Sequence, residues 1–451
     1  MKSSEYIEKI SREYGMYVLD KRAIPAMTDG LKSGQRISLW LLRNRSDKIK
    51  TIALAGQMIA SELYLHGDSA AADSIAMLAG PYCNNQPLIK GIGAFGTRTN
   101  PTSFAAPRYT SVKRSKFAQD ALYVDSDIIT MIDNHDGSNV MPKTFLPLIP
   151  LVMLNGIKGI ATGWATNILP RKYEDLIEAV KDVLTTGKVQ RDLLPHYNNR
   201  NMQVIREHGH QNKFIIKGCI ERKNTSTILV TELPPELNLE SFRDKLSSLE
   251  DSGKITGWTD NSTKDINIEV KLRRDVLAKM SDNQLIEMLK LRSITTENIT
   301  VQGLDGNSIV SYDSVNQLIE DWVSWRLGLY LTRYEKLLKD ELDNNLYWQY
   351  VIACFNYHLT SSIQKLESKK ELEQEISDIG KNADLPVASD NILDKISSLP
   401  TYKWTHKEFL HAEKQLKESN KNIELYQGMI QSDTKRKNVF KKEVDSLRVV
   451  P

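Results

Sequence analysis

The sequence predicts an α+β multidomain chain, on three observations. An alanine-containing N-terminal part reads as helices around a Gly/Pro-rich loop. In the middle, short apolar runs alternate with amphipathic segments. Near the C-terminus, Val315, Leu318, Trp322, Trp325 and Leu329 step by 3, 4, 3 and 4, the seam of paired long helices. With 451 residues, 40% hydrophobic and 26% charged, the chain is globular in composition and long enough for about three domains.

Residues 1–125 open with Tyr6, Ile7, Ile10 and Tyr14 on one helical face, a short helix that Gly15 would end. Thr51–Leu65 is alanine-rich and free of proline, which suits a helix. His66-Gly67-Asp68-Ser69 then supplies a turn with two N-cap candidates before a helix over Ala70–Ala79. Helix, glycine-containing turn, helix is the helix-turn-helix pattern, which αα-hairpins that never meet DNA share. Residues 126–311 read as mixed α/β. Strands are expected within 145–163, 214–221, 226–234 and 265–272, and helices over Tyr173–Leu184 and Leu239–Leu249. Residues 312–379 are expected as one outgoing helix, interrupted near Gly380 and Asp384-Leu385-Pro386. Residues 380–405 form a small cap, and 406–451 return as a helix over His406–Val444. An antiparallel stalk and a plain helical bundle both fit that texture.

The net charge of +3 says little, but its distribution says more. Leu31–Lys116 holds twelve basic and four acidic residues, and no acid occurs from Gln86 to Lys116. Such an excess is the electrostatic footprint for a polyanion, and a solvated face is the plain alternative. No apolar stretch is long enough for a membrane span, and the N-terminus lacks the apolar core of a secretory signal. Cys83, Cys219 and Cys354 are odd in number and far apart, as in a reducing compartment.

Gly91-Ile92-Gly93-Ala94-Phe95-Gly96 matches G-x-G-x-x-G in form only. No strand-turn-helix unit is expected around it, and Lys116 stands where an acid should follow. Asp125 and Asp127 make a candidate metal dyad, and short acidic runs at loop ends are the commoner reading. Ala106-Pro107-Arg108-Tyr109-Thr110 lies in the acid-free stretch. A phenol is a poor nucleophile at neutral pH; a neighbouring guanidinium lowers the cost of the phenolate and binds phosphate in a forked geometry. Tyr109 beside Arg108 is suited to attack a phosphodiester, although an ordinary half-buried tyrosine would look the same in six residues.

Six segments occur in one order: Arg22–Arg36, His66–Ser69, Gly91–Gly96, Ala106–Thr110, Asp133–Gly137 and Asn155–Ile168. Their order and spacing resemble the breakage-reunion chain of type IIA DNA topoisomerases, as in bacterial gyrase and its relatives. The resemblance implies a winged-helix DNA-cleavage domain, an α/β tower domain and an antiparallel coiled-coil stalk with a small helical dimerisation cap. It implies that Tyr109 becomes linked to a 5′ phosphate, with Arg108, Arg22 and His66 around the scissile phosphate. Lys32 and Arg36 would contact the DNA backbone, as would Arg98, Lys113 and Asn155. Ile160 would wedge between base pairs, although its glycine neighbours also suit a buried strand. Ser69 and Asp73 match the positions where quinolones bind gyrase.

There are departures. Tyr64 stands where the bacterial pattern has a histidine, and Gln35 replaces another histidine. The sequence ends after the stalk without a gyrase-type wrapping domain, as in the T-even-phage form of the family. The resemblance further implies a homodimer on double-stranded DNA, in host cytoplasm or nucleoid if phage-encoded. Mg²⁺ would come from the TOPRIM domain of an ATPase partner that also binds ATP, with no metal site in this chain. Two other classes stay open: a non-catalytic DNA-binding coiled-coil scaffold, and a metal nuclease built on Asp125 and Asp127.

Overall fold

The computed structural model describes residues 3–447 except 199, 307 and 364. α1 (Ser3–Val18) runs on past Gly15, whose cost inside a helix is only about 1 kcal/mol. A one-turn π-helix, Leu19–Ala23, follows it. α2 (Ser33–Leu42) begins where the Lys32 N–H donates to the Gln35 side chain. Next come β1 (Ile49–Lys50), α3 (Thr51–Ala60), α4 (Asp68–Ala79), β2 (Ile89–Ile92) and β3 (Ser111–Arg114). β3 lies between β1 and β2 in an antiparallel sheet. α2, α3 and α4 pack through buried Leu39, Leu42, Leu54, Ala55, Met58, Ala71 and Ile75, the alanines allowing close approach. The helix expected to reach Leu65 stops at Ala60, because Glu62 takes a left-handed φ of +57° and turns the chain.

After α5 (Lys116–Ala121), capped by Ser115, β4 (Met131–Asp133) and β5 (Val140–Pro142) form a hairpin. Strands are not what fills the start of 145–163. Pro147 and Pro150 cannot donate to a ladder, so the chain is irregular until α6 (Leu151–Asn155), whose first turn Pro150 precedes. Gly156 then turns at φ +64°, where a Cβ would meet Ile168 O at 2.5 Å, and β6 (Ile157–Ala161) pairs with β7 (Trp164–Ile168). α7 (Tyr173–Thr186) ends on left-handed Gly187.

The following stretch holds β8 (Gln203–Arg206), β9 (Lys213–Lys217), β10 (Cys219–Arg222), β11 (Thr227–Glu232), α8 (Leu239–Asp251), β12 (Gly257–Asp260), β13 (Ile268–Lys271), α9 (Arg274–Lys279), α10 (Asp282–Met288), β14 (Arg292–Thr296), β15 (Ile299–Gln302) and β16 (Ile309–Tyr312). Two antiparallel sheets result, ordered β14-β9-β8 and β10-β11-β13-β12. Val230, Ile268 and Val270 from the larger sheet share a core with Phe242, Leu246 and Leu285. Arg171 and Glu297 form a fully buried pair at 2.7 Å.

The chain makes two compact units, residues 1–326 with 441–451 and residues 327–440. α11 (Val315–Asn356) ends well before residue 379, because the chain reverses at left-handed His358. α12 (Leu359–Ile363), α13 (Lys369–Asn382), α14 (Asp390–Ser397) and α15 (His406–Gln431) follow, then α16 (Asp433–Ser446). The expected unbroken return to Val444 is split at Ser432, where Arg436 donates to the carbonyls of Met429 and Ile430. Within the second unit, Tyr334 meets Tyr426, Asn345 meets Ser419 and Phe355 meets Phe409, an antiparallel pairing of α11 with α15. Tyr350, Cys354, Ile376, Ile392 and Ile396 form a small core beside it, and burial pushes the Cys354 thiol up to about 12. No helix among the described residues is long and apolar enough to cross a membrane.

Candidate active site

Tyr109 sits two residues ahead of β3, at the end of the loop that leaves β2. The first N–H groups of α3 lack a side-chain cap and donate instead to this loop: Thr51 N to Thr110 O at 3.1 Å and Ile52 N to Pro107 O at 3.3 Å. The two threonine hydroxyls add a bond of 2.8 Å. These bonds pull the backbone of Pro107 and Thr110 inward and leave Arg108 and Tyr109 between them pointing out. Tyr109 is 69% exposed, unusual for a tyrosine held on so rigid a frame, and the Arg108 guanidinium lies 4.9 Å from its ring centroid.

A second cluster forms where the π-helix passes the α3–α4 turn. Arg22 Nε and Nη2 lie 3.0 and 2.6 Å from the two ring nitrogens of His66, and the Tyr17 hydroxyl lies 3.1 Å from Nε2. Tyr64 meets the His66 ring edge-on at 5.0 Å. Burial and then the Arg22 charge pull the His66 pKa below its ordinary value. A neutral ring can accept a guanidinium N–H at one of its nitrogens and a charged ring at neither, which fits the lowered pKa. These side chains open onto a cleft of about 1210 Å³ shared with Lys32, Lys158 and Asp133.

The β6–β7 hairpin stands beside this cleft. A Cβ on Gly159 would lie 1.8 Å from Ala23 O, so only glycine lets the hairpin pass this close to the π-helix. Lys32 Nζ donates to Lys158 O at 2.8 Å, and burial lowers the Lys32 pKa. Next to this anchor, Ile160 projects with 86% of its surface exposed. Ser69 and Asp73 lie exposed in the first two turns of α4.

Three expected DNA contacts are corrected. Arg36 is buried, with Nε 2.6 Å from Asp29 Oδ2 and Nη2 2.9 Å from Oδ1, so it organises the core. Arg98 is clasped by Glu232 and Asp265 at 2.5 and 2.6 Å, which neutralises it. The Asn155 amide is spent on the backbone N–H and C=O of Gln86. Lys113 is half-buried, and the sheet register shows what accompanies it. Lys90 is paired with Lys113, and Lys50 with Ser111, so all three lysines share the outer face of the β1–β3–β2 sheet. Their side chains have no hydrogen bond or ion pair among the described residues. Like charges on adjacent strands repel, so the three lysines together leave this face strongly positive. Strand alternation in Ile49-Lys50 and Ile89-Lys90 carried the signal for Lys50 and Lys90; nothing in the sequence pointed to Tyr17.

Asp125 accepts from Arg326 Nη2 at 2.6 Å, so the candidate dyad is partly an internal ion pair. Among the described residues no three His, Cys, Asp or Glu side chains gather as a metal site.

The chain matches the DNA gyrase/topoisomerase IV A-subunit family over residues 22–445. It is 31% identical over 389 residues to the DNA topoisomerase medium subunit of Enterobacteria phage T4, covering 83% of this chain and 85% of that one. It is 29% identical over 331 residues to DNA topoisomerase 2-alpha of Homo sapiens, covering 71% of this chain but only 21% of that protein. Among solved structures, the DNA-binding, cleavage and re-ligation domain of Plasmodium falciparum topoisomerase II superposes with a TM-score of 0.79 at 22% identity, over 96% of this chain and 64% of that one. The chain belongs to the DNA gyrase/topoisomerase IV A-subunit family, the DNA-cleaving and religating subunits of type II topoisomerases.

Proposed function

We propose that Tyr109 is the nucleophile with which this chain opens one strand of a DNA duplex. Its phenolate oxygen attacks the phosphorus, the bond from phosphorus to the 3′ oxygen breaks, and the 3′ hydroxyl leaves with the proton while the 5′ phosphate stays on the tyrosine. The ester conserves the energy of the broken bond, so attack by the 3′ hydroxyl reseals the strand. The observation that carries this reading is an exposed tyrosine fixed on a rigid frame beside a guanidinium. Arg108 would hold the scissile phosphate, and Arg22, with His66 neutral behind it, would stabilise developing charge. Lys32, Lys50, Lys90 and Lys113 would follow the backbone, and Ile160 would enter the base stack.

Residues 1–125 then act as a winged-helix cleavage domain with β2 and β3 as the wing, and 126–311 as the tower. α11 and α15 would form the stalk, and the small helical core between them, which takes in α13 as well as the expected cap at 380–405, would join two copies. Two tyrosines, one per strand, require that dimer. Type II topoisomerases work with Mg²⁺ and ATP. A TOPRIM-bearing ATPase partner would bring both, in the host cytoplasm for a phage enzyme. Duplex passage would relax or decatenate DNA. Ser69 and Asp73 make quinolone sensitivity a further expectation. The test is Tyr109→Phe in the complex with partner and Mg²⁺. Loss of the covalent complex with DNA binding intact supports the reading, and unchanged activity refutes it in favour of a DNA-binding scaffold.

A further inference from the structure

The β4–β5 hairpin tip carries polar side chains that neither catalysis nor DNA contact uses. Asn134 Nδ2 donates to Glu62 O at 3.3 Å, Asn139 Nδ2 to Ser61 O at 3.1 Å, and Ser138 Oγ to Glu62 Oε2 at 3.1 Å. Ser61 caps the C-terminus of α3 and Glu62 follows it, where carbonyls lack helical partners. Glu62 holds φ +57°, a conformation that helix ends normally give to glycine, so the turn needs outside support. The tip itself is preset. Asn134 N donates to Asn139 O at 2.8 Å, Asn134 Oδ1 accepts from Asn139 N at 3.2 Å, and Asp136 Oδ1 accepts from Ser138 N at 2.9 Å. Four residues beyond Glu62 stands His66.

We propose that Asn134, Ser138 and Asn139 are positioning residues that clamp the end of α3 and thereby hold His66 against Arg22. The clamp rests on the reading of His66 as part of the cleavage site, and its tests separate the two. Each link is one hydrogen bond to a strained turn, so loss of one slows cleavage about tenfold without weakening DNA binding. The first measurement is the rate at which diethyl pyrocarbonate acylates His66 in the full chain, mapped by mass spectrometry. In Asn134→Ala and Asn139→Ala, His66 reacts several-fold faster while the melting temperature holds. An unchanged His66 rate overturns the clamp, whatever cleavage does. The second is single-turnover cleavage by the complex with its partner chain, in a cycle with His66→Ala. Asn139→Ala slows the enzyme in the native background and adds nothing once His66 is gone. Equal slowing in both backgrounds overturns the clamp. A His66→Ala enzyme that cleaves at the native rate refutes the catalytic reading of His66 and leaves the clamp to be decided by acylation.

Discussion

Replacing Ile160 by alanine separates the two meanings an apolar side chain can have. In the free chain Ile160 is 86% exposed at the end of a hairpin whose fit depends on Gly159, so its truncation removes almost no internal packing. Stability should then change by no more than about 0.5 kcal/mol. Inserted between base pairs, the side chain would be buried almost completely. Isoleucine to alanine removes three carbons, worth about 0.8 kcal/mol each when buried, or about 2.4 kcal/mol in all. That energy is set against an unstacking cost of a few kcal/mol, so its loss shifts the balance from bent to straight duplex by about 50-fold. Energy transfer between dyes at the two ends of a short duplex reads the bend directly, beside a thermal melt of the free protein. A melting temperature several degrees lower, or an unchanged bend, would show that the wedge argument is wrong.

Other outcomes follow from the same geometry. Because the His66 pKa is lowered, the neutral ring paired with Arg22 persists to pH below the ordinary histidine range. Protonation at lower pH breaks the pair, so covalent-complex formation should fall on the acid side, a limb that His66→Gln abolishes. The unfolded chain takes up that proton first, so the linked stability is present above about pH 6.5 and is lost as pH falls from there through the lowered folded value. Glu297→Leu strands the buried Arg171 guanidinium at a cost of about 3–5 kcal/mol. With unfolding entropy of about 2.1 cal/mol/K per residue over roughly 330 residues, calorimetry should show a drop of about 4–7 °C. Alanine at Lys50, Lys90 and Lys113 together should flatten the slope of log affinity against log salt by about 2–3, whereas Arg98→Ala should leave it nearly unchanged.

The helix-turn-helix was legible because alanine spacing and His66-Gly67-Asp68-Ser69 are local signals, and α3 and α4 appear where they point. Tyr109 was singled out mainly through the order of six motifs, since nothing local distinguishes an exposed tyrosine from a buried one. Charge counting misled at Arg36 and Arg98. Their partners Asp29, Glu232 and Asp265 lie outside the basic stretch, and only the fold brings them near. The pairing of Arg22 with His66 spans 44 residues, a distance no periodicity encodes. The first part of the run 145–163, before β6, misled for a different reason. Its apolar pattern is shared by a buried helix and a strand, and two prolines decided the outcome.

The most direct test starts from the complex of this chain with its partner, Mg²⁺ and labelled duplex DNA. The reaction is stopped with denaturant, the chain digested, and the peptide that keeps a nucleotide identified by mass spectrometry. The account predicts one modified peptide, carrying a 5′-linked nucleotide on the Tyr109 oxygen. Free DNA ends with no attached peptide, or a nucleotide on any other residue, would contradict it.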